Sequence, residues 1–510
     1  MRQFGSRQTR RTQQTWQLVA GSAVVGLAVA AGAVTAAGPW DSGQRTAERG
    51  RAAAQELARG GHHDVAPLPR PAPSAAEVLA PLESGSDGSD SSADRPDPGS
   101  TGDPMRSRSA ETDAIPPPTA PGLADALAPL LKAPALGPVR TASVVDAATG
   151  GELFGARQDE AATPASTIKL ATAVAALSAL GPDHRIDTTV VSAPGEKREI
   201  ILVGAGDPTL TAHADAEGAA DLRALADDTA RKLKKRGATK VKLGYDASLY
   251  SGPAVHPLGP NENLAPVSAL MADEARLDDS GHGPAARAEK PAPSAAHSFA
   301  DLLRDRGIKI KSDPSPQRPP KDARRLARTR SLPLSALVER MLTHSDNDIA
   351  EALARRTAIA TGHPASFSGA GKAVRKQLKK LRLPLDGARF EDGSGLNRAD
   401  KAPASLLTQL LARAADPDHP ELRPILTGLP VAGFSGTLRD RYRDKDSVGV
   451  GVVRAKTGTL TGVNTLAGTV VDADGRLLVF AFMTNGTSDP HGAQQALDRM
   501  ASAVANCGCR

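Results

Sequence analysis

The chain has 510 residues, so it is expected to contain more than one structural unit. Hydrophobic residues make up 40% of it and aromatic residues only 3%, which predicts an aliphatic, alanine-rich core. Its net charge of +6 is small for this length, and no basic patch with interleaved aromatic residues occurs, which argues against a nucleic-acid-binding protein. The only two cysteines, Cys507 and Cys509, are too few for a disulfide framework or a four-ligand zinc site.

Residues 1–40 are predicted to form a signal or membrane-anchor segment. Several arginines precede residues 18–38, an uncharged run that is long enough to span a bilayer. Positive flanking charge keeps the N-terminus inside, so the remainder of the chain is expected outside the cytoplasmic membrane. Small residues near the end of the run also suit a signal peptidase, which leaves open whether the segment is cleaved or kept as an N-terminal membrane helix.

Residues 41–121 are expected to form a disordered linker, because Ser, Asp, Gly and Pro dominate them and large apolar residues are few. Folded structure is expected from Gly122 onward, beginning with a hairpin whose two strands flank the sequence TGG. Strand-like and helix-like stretches then alternate up to residue 330. Within them, the polar stretch 278–296 is interpreted as a loop.

The stretch TPASTIKLATAVAAL (163–177) predicts a buried helix, with Thr163 as its cap and Pro164 in its first turn. Ser166 and Lys169 lie three residues apart and would share a face of that turn. A serine hydroxyl needs an adjacent base to act as a nucleophile, and a lysine can be that base if burial lowers its pKa. Because S-x-x-K also arises by chance in a chain this long, the motif is weak evidence alone.

A second motif, Ser345-Asp346-Asn347, lies in a predicted helical stretch at about 333–356. Its hydroxyl could relay a proton to a leaving amine, and its amide could hold a substrate carbonyl. Taken alone, the triplet could equally be a helix cap.

A third motif, Lys456-Thr457-Gly458-Thr459, lies in a strand-like stretch. Its lysine and hydroxyl groups could bind a substrate carboxylate, and the glycine would let a substrate chain lie against the strand edge. In isolation the same letters could mark a strand end or a turn.

With S-x-x-K, S-D-N and K-T-G in this order, the chain resembles the penicillin-recognising serine acyl-transferases. Five further stretches make it similar to the D-alanyl-D-alanine carboxypeptidase/endopeptidase family of low-molecular-mass class C penicillin-binding proteins: LVGAGDPTL, PVSALMADE, EDGSGLNR, GFSGTLRDRY and AKTGTLTGVNTLAG. The resemblance implies an α+β fold, in which a β-lactamase/transpeptidase-like domain with an antiparallel sheet flanked by helices comprises residues 122–188 and 331–510. An inserted α/β domain would comprise residues 189–330.

The resemblance also implies roles for the motif residues. Ser166 would attack the carbonyl between the two terminal D-alanines of a peptidoglycan stem peptide, Lys169 would take its proton, and Ser345 would pass a proton to the leaving D-alanine. The implied substrate-binding residues are Asn347, Lys456, Thr457, Gly458 and Thr459. Penicillins mimic the D-Ala-D-Ala end, so β-lactam antibiotics are expected to acylate the serine. No metal and no organic cofactor is implied.

Asp392 and Ser394 of EDGSGLNR are expected in a tight turn near the cleft rather than in catalysis. Two other hypotheses stay open: a catalytically inactive wall-binding homologue, and a β-lactamase. The first is disfavoured because no motif residue is lost. The second is disfavoured by the long gap between the first two motifs and by EDGSGLNR. The balance between carboxypeptidase and endopeptidase activity is also left open.

Overall fold

The computed structural model describes residues 117–214, 218–442 and 447–508. Its helices and strands follow one another along the chain in this order: α1 (Ala120–Leu127), β1 (Val139–Asp146), β2 (Glu152–Ala156), α2 (Lys169–Leu180), β3 (Asp187–Ser192), β4 (Glu199–Val203), α3 (Leu222–Lys235), β5 (Lys240–Asp246), α4 (Pro291–Asp305), β6 (Lys309–Ile310), β7 (Ser315–Pro316), β8 (Arg324–Arg330), α5 (Leu334–His344), α6 (Asn347–Ala360), α7 (Phe367–Lys380), α8 (Ala404–Ala415), α9 (Pro424–Thr427), β9 (Arg454–Leu460), β10 (Val463–Val471), β11 (Leu477–Asn485) and α10 (Pro490–Ala505).

The N-terminal part of the chain was assigned from sequence to an apolar segment and a linker. The apolar run 18–38 lies outside the described residues, as do residues 41–116 of the predicted linker. Helix α1 begins at Ala120, two residues before the expected start of folded structure. In the described part of the chain, every helix is too short or too polar to cross a membrane.

One sheet has five antiparallel strands in the order β2-β1-β11-β10-β9. Because side chains alternate along a strand, β11 faces two cores. Leu478, Phe480 and Phe482 pack with α1 and α10. The residues between them pack with α2, α5, α6 and α8. Helices therefore cover both faces of the sheet, and the predicted α+β architecture is confirmed.

A second sheet lies, in sequence, between the S-x-x-K and S-D-N motifs. Its strand order is β6-β5-β4-β3-β8, with β7 also paired to β5. Strands β3, β4 and β8 pair antiparallel, whereas β4, β5 and β6 pair parallel. Helices α3 and α4 pack on this sheet around Leu225, Leu243 and Phe299, which belong to a hydrophobic core of their own. We call residues 187–330, which contain this sheet, the insert.

The helix predicted to start at Thr163 starts later. Residues Ala165–Ile168 form a 3-10 turn, and α2 begins at Lys169. Thr163 does not cap the helix, because its hydroxyl accepts a hydrogen bond from Lys401 Nζ at 2.8 Å. The capping prediction was wrong because a tertiary contact, which local spacing cannot reveal, uses the threonine.

The helical stretch predicted at 333–356 is two helices. Helix α5 ends at His344, and Ser345 adopts the left-handed conformation with φ 60° and ψ 37°. Asp346 then caps α6 by accepting from Ile349 N at 2.9 Å. The chain therefore turns at the S-D-N motif, and Ser345 is placed at the junction rather than on a helix face.

The loop predicted at 278–296 is shorter in the structure. Helix α4 begins at Pro291, so only the residues up to 290 are irregular. Pro291 and Pro293 are compatible with a first helical turn, where the missing N–H groups have no intrahelical partner in any case.

We expect Phe299→Ala to lower the free energy of unfolding by about 3–5 kcal/mol, because Phe299 is fully buried in the core of the insert. Phe434→Ala is the matched control. Phe434 is 65% exposed, so its truncation should change stability by no more than about 0.5 kcal/mol. Denaturant unfolding of the full chain followed by circular dichroism measures both values. Equal losses in the two variants would contradict the assignment of a separate core to the insert.

Candidate active site

The S-x-x-K pair meets at the start of α2. Lys169 is completely buried, and its Nζ lies 3.0 Å from Ser166 Oγ. The same nitrogen donates to Asn347 Oδ1 at 2.7 Å and to the Ser394 carbonyl at 2.5 Å. Burial lowers the pKa of Lys169 to about 8, although the negative charge of Asp392 and other nearby carboxylates opposes the shift.

The three neighbours of Lys169 Nζ suit a neutral amine. Such an amine has two N–H groups and one lone pair. The Asn347 and Ser394 oxygens can only accept hydrogen bonds, so they take the two N–H groups. The lone pair is then left for the hydroxyl of Ser166, which can donate its proton. The arrangement can therefore withdraw that proton and make the serine oxygen a nucleophile.

The S-D-N and K-T-G motifs share a cavity with Ser166. The cavity has a volume of about 510 Å³, and its lining includes Ser166, Ser345, Asn347, Thr457 and Thr459. Three separate stretches of chain thus bring these five predicted site residues together. Lys169, which is buried, contacts two of them, Ser166 and Asn347.

Strand β9 forms one wall of this cavity. Lys456 is completely buried on it and donates from Nζ to the Thr457 carbonyl at 2.9 Å. Burial, with a smaller contribution from the charge of Lys169, holds the pKa of Lys456 well below its usual range. Thr457 Oγ1 donates to Thr437 Oγ1 at 2.8 Å, which adds the GFSGTLRDRY stretch to the site.

Gly458 lets β9 lie directly against the turn that carries Ser166. A Cβ at this position would lie 2.1 Å from Thr465 Oγ1, 2.6 Å from the Pro164 carbonyl and 3.1 Å from Ser166 N. Two of these atoms belong to backbone, which cannot move away cheaply. Only glycine therefore permits this approach of strand and turn.

The EDGSGLNR stretch contributes a contact that no side-chain pattern shows. Asp392 and Ser394 lie in a buried turn beside the site, where the carbonyl of Ser394 accepts from Lys169. Glu351 on α6 accepts from the backbone N–H groups of Gly393 and Ser394 at 2.9 and 3.0 Å. A Cβ on Gly395 would lie 2.1 Å from the Ala165 carbonyl, so this turn also packs directly on the nucleophile's turn.

A cluster of buried acids lies behind the S-D-N motif. Three carboxylates have oxygens within 4.8 Å of one another: Glu274, Asp346 and Asp348. Arginines from two elements pair with the outer two acids at 2.6–3.0 Å: Arg276, Arg287 and Arg340. Guanidinium groups thus already supply positive charge to two of the three acids, so the cluster is better suited to holding the motif than to binding an ion.

Comparison with known proteins places this geometry in a family. The model of the D-Ala-D-Ala carboxypeptidase 3 (S13) family matches residues 123–283 and 279–506. A carboxypeptidase of Mycobacterium tuberculosis is 38% identical over 408 residues, which cover 77% of this chain and 85% of that protein. The D-alanyl-D-alanine carboxypeptidase of an Actinomadura species is 31% identical over 437 residues, covering 71% of this chain and 80% of that protein.

A solved structure supports the fold independently of these sequence matches. The crystal structure of penicillin binding protein 4 from Haemophilus influenzae superposes with a TM-score of 0.61 at 24% identity, covering 74% of this chain and 97% of that one. The family model spans both the five-stranded domain and the insert, and the relatives align over most of their own length. The chain therefore belongs to the D-Ala-D-Ala carboxypeptidase 3 (S13) family.

Proposed function

We propose that the chain is a serine-type D-Ala-D-Ala carboxypeptidase that trims peptidoglycan stem peptides through an acyl-enzyme on Ser166. The observation that carries this proposal is the contact between Ser166 Oγ and the completely buried Nζ of Lys169. The names of the relatives support the choice of substrate. Covalent binding of penicillin and a role in remodelling the cell wall follow from the same chemistry.

In the acylation step, Lys169 accepts the proton of Ser166 while the serine oxygen bonds to the carbonyl carbon between the two terminal D-alanines. The backbone N–H groups of Ser166 and Thr459 would stabilise the resulting oxyanion. One such donor typically supplies about 2.7–4 kcal/mol of transition-state stabilisation. Ser345 would then relay the proton held by Lys169 to the nitrogen of the departing D-alanine as the C–N bond breaks, which returns Lys169 to its neutral form. Asn347, which already contacts Lys169, would also bind the acyl side of the substrate.

The terminal carboxylate of the substrate would bind on β9. Thr457 and Thr459 line the cavity with hydroxyl-bearing side chains. Gly458 lies between them, but a Cβ on it would meet the turn of Ser166, so its contribution is to hold the strand close to that turn. Lys456 lies buried under this strand and would adjust the charge felt by Ser345 and the carboxylate. Binding the terminal carboxylate fixes the scissile carbonyl in position and favours cleavage at the chain end.

In the second step, water attacks the ester carbon and gives a proton to Lys169. The bond between that carbon and the Ser166 oxygen then breaks, and Lys169 returns the proton to the serine oxygen. A β-lactam would acylate the same serine but would leave slowly, since its ring-opened product stays tethered. Slow release distinguishes this proposal from a β-lactamase, which would turn penicillin over rapidly. Failure to acylate at all would favour the inactive wall-binding homologue.

The expected place of action is outside the cytoplasmic membrane, at its outer face or in the cell wall, because peptidoglycan lies there. The N-terminal apolar run would deliver the chain to that side, either as a signal or as an anchor. Cleavage of peptide crosslinks between wall strands is a further part of the proposal. Such an endopeptidase reaction breaks the same kind of bond, with a larger leaving group.

We expect Ser166→Ala to abolish covalent labelling of the full chain by a fluorescent penicillin, because no other atom forms the ester. Intact-mass measurement should show the adduct in the unaltered chain and none in the variant. Ser248→Ala, at an exposed serine of the insert, is the control and should label normally. Mass spectrometry of a D-Ala-D-Ala pentapeptide should show loss of one alanine under the same conditions. Persistent labelling of Ser166→Ala would disprove the proposed nucleophile.

The acylation rate should depend on the protonation of Lys169. Its pKa of about 8 means that the amine is neutral above that pH and charged below it. Only the neutral form accepts the serine proton, so the rate should fall about tenfold per pH unit below that value and level off above it. Lys169→Met should lower the plateau by about 100- to 10,000-fold. Lys240→Met, at an exposed site, should leave the profile unchanged. A flat profile across this range would exclude Lys169 as the base.

Gly458→Ala should slow acylation by about 100-fold, because the new methyl group would force β9 away from Ser166. Stopped-flow measurement of penicillin acylation tests this, with circular dichroism to verify that the variant is folded. Gly281→Ala serves as the control, since its Cβ would meet no atom within 4 Å. Normal acylation in folded Gly458→Ala would show that the close packing of strand and turn is not needed for catalysis.

A further inference from the structure

Part of the insert crosses from its own sheet to the catalytic site. We call residues 256–265 the strap. The strap makes three contacts with two elements that carry or adjoin the motifs, the EDGSGLNR turn and the start of α6. His256 contacts Asp392, the carbonyl of Asn263 accepts from Asn347 Nδ2 at 2.8 Å, and Ala265 N donates to Asp348 at 3.1 Å. The mechanism proposed above uses none of these strap residues.

His256 is held as a hydrogen-bond donor to Asp392. Its Nδ1 accepts from Leu258 N at 3.2 Å, so the ring proton resides on Nε2. Nε2 lies 2.9 Å from Asp392 Oδ2, and both side chains are almost completely inaccessible to solvent. A buried histidine that touches no cavity-lining motif residue cannot be a catalytic acid or base here. Its contribution must pass through Asp392.

Asp392 in turn fixes the carbonyl that Lys169 uses. Its Oδ1 accepts from Ser394 N at 3.0 Å and from Gly395 N at 2.5 Å, and its Oδ2 accepts from Asn397 N at 2.7 Å. These bonds set the backbone orientation of the turn. The Ser394 carbonyl then points at Lys169 Nζ, 2.5 Å away. A chain of hydrogen bonds thus runs from His256 through the turn to the amine.

The second acceptor of Lys169 is held by the same strap. Because Asn347 Nδ2 donates to the Asn263 carbonyl, the amide of Asn347 must direct its Oδ1 toward Lys169. The two oxygens that take the N–H groups of the neutral amine are therefore both positioned by the strap. The lone pair of the Lys169 amine is then available to Ser166, and the two hydrogen bonds that the amine donates fix the direction of this lone pair.

We propose that the strap orients the catalytic base, with His256 as a positioning residue that acts on Lys169 through Asp392 and the Ser394 carbonyl. This inference rests on the proposed function, since it concerns the same amine. It assigns the insert a role in the chemistry, separate from any contact with substrate. Without the bond from His256, the turn can shift and the amine can rotate. The lone pair would then no longer face Ser166.

The test compares acylation by a fluorescent penicillin in three variants of the full chain. His256→Leu removes the donor and should lower the acylation rate constant by about 10- to 100-fold, while noncovalent binding before acylation changes little. His256→Gln can place an amide N–H near the position of Nε2 and should recover most of the rate. Phe367→Leu is the packing control. Phe367 packs edge-on against His256 at 5.3 Å between ring centroids and takes part in none of the hydrogen bonds that run from His256 to Lys169, so the rate should change by no more than about twofold.

The outcomes separate positioning by the His256 hydrogen bond from an effect of packing alone and from failure of the proposed function. An unchanged rate in folded His256→Leu would overturn the inference. Equal losses in His256→Leu, His256→Gln and Phe367→Leu would also overturn it, because they would show that packing alone matters. If His256→Leu does not fold, the other two variants decide. Acylation that is slower than in the unaltered chain in both His256→Gln and Phe367→Leu contradicts the positioning role of His256. Failure of the proposed function would show itself differently, as absence of Ser166-dependent labelling in the unaltered chain.

Discussion

The proposed chemistry depends on one amine in the interior of the protein that gives up its charge more readily than an exposed lysine. Lys169 has no access to solvent, and the cost of burying an ammonium group lowers its pKa toward the working range of a base. Burial alone would produce a neutral amine with no preferred direction. One side-chain oxygen and one backbone oxygen accept its two N–H groups, so that the remaining lone pair faces Ser166. Desolvation favours the neutral form that can accept a proton, and hydrogen bonding sets the direction of its lone pair.

This arrangement requires three chain segments to approach more closely than side chains would allow. Strand β9 reaches the nucleophile's turn through Gly458, and the EDGSGLNR turn reaches the same place through Gly395. At both positions a Cβ would collide with backbone atoms. Ala165 and Ser345 adopt left-handed backbone conformations beside the nucleophile and in the second motif. Such conformations cost energy in non-glycine residues, which places local strain at the site and leaves the surrounding packing to compensate.

The insert has a hydrophobic core of its own, yet its strap and its acidic cluster both end at the catalytic motifs. The buried ion cluster of Glu274 and Asp348 with arginines lies directly behind Asp346. Removing a single partner from such a cluster would leave an uncompensated buried charge, so its members are expected to hold the S-D-N turn as a unit. The insert therefore contacts the candidate active site directly, although in sequence it lies between the first two motifs.

The sequence by itself determined the chemical groups and their order. S-x-x-K, S-D-N and K-T-G identified five residues that share one cavity, and the family resemblance built on these motifs implied the antiparallel sheet. It also placed Asp392 and Ser394 in a turn near the cleft. Local patterns failed where a distant residue overrode them, as when Lys401 took the Thr163 hydroxyl and when the chain reversed at Ser345 between two helices. Only the tertiary structure revealed the Ser394 carbonyl and the His256–Asp392 contact. A carbonyl is present at every residue, and a buried histidine has no distinguishing spacing, so their roles follow from position in space alone.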